Sequence, residues 1–231
     1  MVFRLFKDKL SPRGKSFITF WMKSHMFLLS YFRTTSEKLH FALSTDGLVW
    51  NPLKQNNPIL ECNVSNKSVR DPFLQQGPDG KFHLIFTDSW RSKNFIYTYS
   101  SDLIHWEPQQ IIPIMESIPS TVNTWAPEFV YDPTQKLYFI FWSSTTFPKK
   151  NFFRKPILDH RLWYCTTPDF HQFSSPAIMF DPGYMIIDAT IIRDQNTWFM
   201  AFKDERGKHI PSNPYKAMKI AQANQLQGPW K

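Results

Sequence analysis

The sequence predicts an all-β fold arranged as a β-propeller, with about four blades in its 231 residues. Three observations lead there. Short β-rich runs alternate with turn signals, a two-part unit recurs roughly every 60 residues, and no stretch sustains a helical period. A two-sheet sandwich is the structural alternative, but it gives no reason for the same motifs to return in the same order.

The clearest copy of the unit is Ser68–Ser101. It starts an inner strand at Asp71, turns at Gly77-Pro78-Asp79-Gly80, returns along Lys81–Thr87 and adds a third strand at Phe95–Ser100. Gly80 supplies the positive φ that such a turn demands. The second half of the unit ends in a Ser/Thr-Asp turn and a closing aromatic. Its copies are LHFALSTDGLVW (Leu39–Trp50), FIYTYSSDLIHW (Phe95–Trp106), LWYCTTPDFHQF (Leu162–Phe173) and the looser AMKIAQANQLQGPW (Ala217–Trp230). The first halves repeat in step at Met26–Phe32, Asp71–Thr87, Pro127–Trp142 and Asp188–Lys203. On this alignment the first blade lacks its innermost strand. Residues 1–24 form a basic N-terminal extension, and 25–231 form a propeller domain whose last blade is missing after Gly228-Pro229-Trp230.

Composition narrows the function. Aromatic residues make up 17% of the chain, with 22 Phe and 9 Trp, which suits strands and a cleft that stacks sugars or bases. With only seven Gly, the turns lean on the 18 Pro and on Asp and Asn. The net charge is +8, but Arg4, Lys7, Lys9, Arg13, Lys15 and Lys23 stand against Asp8 alone in the first 25 residues. The rest of the chain is close to balanced and no basic stripe recurs with the aromatics, so nucleic acid is not an expected partner. The longest apolar run near the start, Phe17–Met22, is too short and polar for a signal sequence, and no run is long enough to span a membrane. The chain reads as unexported; a missing leader would instead fit a secreted or periplasmic protein. Cys62 and Cys165 lack metal spacing and read as buried free thiols. The seven His form no ligand motif, and neither a phosphate loop nor a Gly-x-Ser-x-Gly elbow occurs, so no metal or cofactor is expected.

Three acids stand near the starts of inner strands: Asp71 in VRDPF, Glu128 in WAPEF and Asp188 in IDATI. In a propeller these starts face the axial pocket. Carboxylates converging there suit glycosidic hydrolysis, in which one group delivers a proton and another activates water or attacks. An Asp before Pro can also simply cap a turn. Arg70 would clamp a sugar hydroxyl or pair with an acid, and Trp90 and Trp125 would stack sugars or fill the core. Lys203, Asp204 and Glu205 read as solvated charges at a hairpin end.

The succession RDPF, TDSW, SSDLIHW, WAPEF, IDATI and QGPW, running from about Met26 to the end, resembles glycoside hydrolase family 43. That resemblance implies a five-bladed propeller that cleaves arabinosyl, xylosyl or galactosyl linkages with inversion, on an oligo- or polysaccharide substrate. By the same resemblance Asp71 is the general base and Asp188 tunes the general acid. Trp125-Ala126-Pro127 matches a blade signature, with Glu128 as a pocket residue that orients substrate. The family's general acid, a Glu after the Gly-Pro-Trp turn, is absent from these residues. A non-catalytic glycan-binding propeller is therefore one alternative. Fructan-cleaving propellers share the Arg-Asp-Pro of Arg70–Pro72, but their Asn-Asp-Pro nucleophile motif is absent from Phe20–Phe27.

Overall fold

The computed structural model describes residues 2–5, 26–146, 158–206 and 216–231. The described residues form four antiparallel sheets in chain order, the blades of a partial propeller. Blade 1 holds β1 (Val2–Leu5), β2 (Met26–Phe32), β3 (Leu39–Ser44) and β4 (Asn51–Pro52). Blade 2 holds β5 (Arg70–Gln76), β6 (Phe82–Thr87), β7 (Phe95–Ser100) and β8 (Gln110–Ile112). Blade 3 holds β9 (Trp125–Asp132), β10 (Leu137–Thr145), β11 (His160–Thr167) and β12 (Ala177–Phe180). Blade 4 has three strands, β13 (Ile186–Asp194), β14 (Thr197–Asp204) and β15 (Ala217–Ala223). One sequence expectation changes here. The first blade does have an inner strand, because β1 pairs antiparallel with β2 from Val2↔Leu29 to Leu5↔Met26. A four-residue strand so far ahead of its partner carries no periodicity by which to recognise it.

The strands read as continuous apolar runs because each inner blade is covered on both faces. In β6, Leu84 and Phe86 pack towards blade 1 with Leu28 and Phe41, while Ile85 packs towards blade 3 with Phe129 and Trp142. In β10, Ile140 and Trp142 face blade 2, and Phe139 and Phe141 face blade 4 with Met200 and Phe202. Cys165 is buried in the layer between blades 2 and 3, Cys62 in the layer between blades 1 and 2, and both are free thiols.

The closing turns explain the repeat chemically. In blade 2 the Ser100 hydroxyl accepts the Leu103 N–H at 2.8 Å, and Asp102 Oδ1 accepts the N–H groups of Ile104 and His105, each at 2.8 Å. Ser44 and Asp46 do the same in blade 1, and Thr167 and Asp169 in blade 3. These are side chains standing in for strand hydrogen bonds at a reversal. The residue after the aspartate of each turn is left-handed: Gly47 (φ 77), Leu103 (φ 66) and Phe170 (φ 59). Phe170 is fully buried, stacked 4.4 Å from Tyr97 and 4.7 Å from His83, with Phe129 edge-on at 5.3 Å.

A second repeated feature sits at the other end of the inner strands. In β5, Arg70 pairs with Thr87 and Phe73 with Ile85, so Asp71 and Pro72 together oppose a single residue. The same β-bulge places Ala126-Pro127 between Trp125↔Ser143 and Glu128↔Phe141, and Asp188-Ala189 between Ile187↔Lys203 and Thr190↔Ala201. The first residue of each bulge is left-handed: Asp71 (φ 46), Ala126 (φ 46) and Asp188 (φ 54). A bulge re-aims that side chain, and proline is tolerated in its second position because the ladder needs no donor there.

Candidate active site

The bulges project their first residues into a shared axial concavity. One part, of about 280 Å³, is lined by Arg70, Asp71, Trp90, Trp125, Asp188 and Lys203 among others. An adjoining part, of about 370 Å³, is lined by Asp71, Glu128 and Asp188 together with Ser30, Tyr31 and Phe32 of β2. The six residues singled out from sequence thus border one concavity. Their alignment was not fully legible, however. Asp71 and Asp188 occupy the same station, whereas blade 3 carries Ala126 there. Glu128 stands two residues further, at the station of Phe73 and Thr190.

Asp71 is half-buried and held by its neighbours. Burial raises its carboxyl pKa above the usual range, a hydrogen bond with Thr87 and the Arg70 charge oppose this, and the Asp188 and Glu37 charges add to it. Thr87 Oγ1 in turn accepts the Ala126 N–H at 2.8 Å, so the empty station of blade 3 braces the occupied one of blade 2. Asp188 is exposed and receives the Lys203 ammonium at 3.3 Å.

Glu128 behaves differently. Burial pushes its carboxyl up to about 8, against a hydrogen bond with Thr190 and helped by the Asp188 charge. At neutral pH it therefore keeps a proton and can donate a hydrogen bond to a hydroxyl. Because the folded pKa lies above the unfolded value of 4.5, this group's contribution to stability is complete below that value and is lost as pH rises through about 8. Glu128→Gln is expected to flatten the fall in stability between roughly pH 5 and 8.5, a difference of a few kcal/mol. Urea denaturation across that range checks it, and parallel curves for the two proteins would refute the assignment.

The wall is built from stacked planar groups. The Arg70 guanidinium lies 5.0 Å from the Phe32 ring centroid and 4.4 Å from that of Trp90, and it pairs with Glu37, which also accepts the Ser68 hydroxyl at 2.6 Å. Trp90, 61% exposed, meets Trp125 edge-on at 5.4 Å, and the Trp125 indole N–H donates to the Trp90 carbonyl at 3.0 Å. Behind Trp125 lies the His160 ring at 4.5 Å, with Asn123 3.0 Å from its Nε2. Arg70 thus both pairs with an acid and lines the pocket.

Sequence reasoning missed one group here. Asp204 and Glu205 are not solvated charges: they are 6% and 2% exposed. Glu205 borders the pocket between Lys203 at 3.4 Å and Lys216 at 2.7 Å, and Asp204 is held by Arg206 and Lys219. A Lys-Asp-Glu run at a strand end gives no sign of burial; only the opposing lysines, one of them beyond the strand, reveal it.

A propeller whose axis gathers carboxylates beneath a tryptophan wall is a carbohydrate-processing architecture, since acids act on glycosidic oxygens and indoles stack on sugar faces. The comparisons agree. A family model described as a probable glycosyl hydrolase domain, related to glycoside hydrolase family 43, matches residues 23–229, and the chain belongs to this family. An α-L-arabinofuranosidase of Bifidobacterium longum subsp. longum is 25% identical over 225 residues, covering 87% of this chain and 20% of its own. The chain thus spans about a fifth of that curated relative's length. Among solved structures, the catalytic domain of the Coprinopsis cinerea family 62 α-L-arabinofuranosidase has a TM-score of 0.55 at 14% identity, covering 90% of this chain and 63% of that one. A putative exo-β-1,3-galactanase of Bifidobacterium bifidum has a TM-score of 0.62 at 11% identity, covering 89% and 66%. The Bombyx mori family 32 β-fructofuranosidase reaches 0.62 at 14%, covering 85% and 45%. At these identities the structural likenesses establish the fold alone.

Proposed function

We propose that this chain carries the substrate pocket of a glycoside hydrolase acting on arabinosyl- or xylosyl-type linkages of a polysaccharide, by single displacement with inversion. The observation that carries the reading is the pair of acids at identical bulge stations, Asp71 and Asp188, opening with Glu128 onto one concavity. Asp71 takes the proton from the attacking water, and Thr87 fixes its carboxylate. Asp188, paired with Lys203, orients the sugar and the proton donor. Glu128 donates a hydrogen bond to a sugar hydroxyl, and Trp90 and Trp125 stack on the sugar face.

Inversion requires a proton donor across the scissile bond, with the two carboxyl groups about 6.5–9.5 Å apart. Glu205 does not fill that role, because Lys203 and Lys216 commit it to ion pairs. The resemblance places the donor after Gly228-Pro229-Trp230, outside these 231 residues. The test is hydrolysis of nitrophenyl α-L-arabinofuranoside and β-D-xyloside by the full-length protein, with the anomeric proton of the first product followed by NMR. A product of inverted configuration supports the reading. Retained configuration, or no turnover of either substrate, overturns it.

A further inference from the structure

A second concavity lies at the opposite end of blades 2 and 3, beyond Gly77, which is six residues and about 20 Å along the chain from Asp71. It has a volume of about 310 Å³, at the lower end of small-ligand clefts. Its floor is an ordered polar relay. His83 is 4% exposed, with Tyr97 Oη 2.8 Å from Nδ1, and Asp79 Oδ1 at 3.1 Å and Tyr138 Oη at 3.4 Å from Nε2. Burial holds the His83 pKa below its ordinary value and raises that of the Tyr97 phenol. Tyr97 therefore donates to Nδ1 and the Nε2–H donates to Asp79. Asp79 Oδ1 also accepts the Lys81 N–H at 3.1 Å, so the carboxylate is fixed in orientation while its other oxygen has no partner among the described residues.

Space is kept for this relay by Gly77. A Cβ there would collide with Tyr138 Oη and come within 2.7 Å of Asp79 Oδ1 and His83 Nε2. Its φ is not left-handed, so the glycine serves close approach rather than turn geometry. On the wall, the half-buried Tyr131 is braced edge-on against Tyr138 at 5.0 Å. Asp169 also borders the cleft, and its Oδ1 is fixed by the N–H groups of His171 and Gln172.

We propose that this cleft is a second, non-catalytic glycan site that holds a neutral sugar of the polysaccharide chain, with Tyr131 as stacking platform and Asp79 and Asp169 as acceptors for its hydroxyls. Two carboxylates outnumber the one lysine of the lining, Lys81, whose ammonium sits 4.2 Å from the Tyr99 ring centroid, so an anionic ligand is disfavoured, and the polar floor disfavours an apolar one; a braced aromatic ring beside oriented acceptors matches the apolar face and hydroxyl rim of a sugar. The choice of glycan rests on the reading of the chain as carbohydrate-active. A site remote from the axis would keep the chain on its polymer between encounters, raising the local concentration of linkages at the pocket.

The test is affinity electrophoresis in native gels containing soluble arabinoxylan, with thermal melts to verify folding. The Trp90→Ala protein, weakened only at the axial pocket, is expected to remain retarded. Adding Tyr131→Ala or Asp79→Asn is expected to weaken that retardation roughly tenfold. Unchanged retardation in both double variants, or its abolition by Trp90→Ala alone, overturns the proposal. Retardation without turnover of nitrophenyl glycosides by the full-length protein would refute the hydrolase reading and leave the cleft standing; turnover by that protein without retardation would do the reverse.

Discussion

Asp71→Asn is expected to lower kcat/KM by about 10²–10⁴-fold while leaving the fold intact, because it removes the group that accepts the proton from water. Asn is the informative replacement. It tolerates the left-handed backbone at φ 46 and still offers a carbonyl to the Thr87 hydroxyl, so the bulge and its brace to Ala126 persist. An unchanged melting curve beside a collapsed rate separates chemistry from scaffold. A rate within about threefold of the parent would remove Asp71 from the mechanism. The wild-type pH profile carries the same assignment. Burial raises the Asp71 pKa, so the acidic limb should fall at a higher pH than an ordinary carboxylate would give. Arg70→Met removes a cation that opposes the rise and should move that limb further up.

Phe170→Ala is expected to destabilise the chain by about 3–5 kcal/mol, the largest effect of any single truncation proposed here. Phe170 touches His83, Tyr97, Phe129 and Tyr138, which lie on four strands of two blades, so its loss opens a cavity where no single side chain can collapse to fill it. Leu103 occupies the same turn station in blade 2 but is only half-buried, and Leu103→Ala should cost about 1 kcal/mol. Urea midpoints for the two variants give the comparison. Equal shifts would mean that Phe170 serves its turn rather than the interface between blades.

The repeat was legible because its signals are chemical and local. The hydroxyl and carboxylate of Ser100-x-Asp102 must stand two apart to cap the turn, and that spacing survives in blades 1 and 3. Asp71 and Asp188 were legible for the same reason, as first residues of a short motif. The misplacement of Glu128 has a physical source. Which residue of Trp125-Ala126-Pro127-Glu128 takes the bulge is decided by the pairing of β9 with β10, and linear spacing does not encode that register. Buried charge is hidden for a similar reason. Glu205 lies away from solvent because Lys216, eleven residues on and outside the strand, comes back to meet it. Pairing across a gap in the chain leaves no periodic trace.

The three bulges also separate two things that proteins often entangle. The backbone at each station is left-handed whether it carries Asp71, Ala126 or Asp188, and the strand pairs with its neighbour through the same two-against-one bulge. The axis therefore presents three matched sockets, one in each of blades 2 to 4, and its charge is set by which sockets are filled. Reactivity at the centre can be rewritten one substitution at a time, while the mechanical frame that presents it remains indifferent to the change.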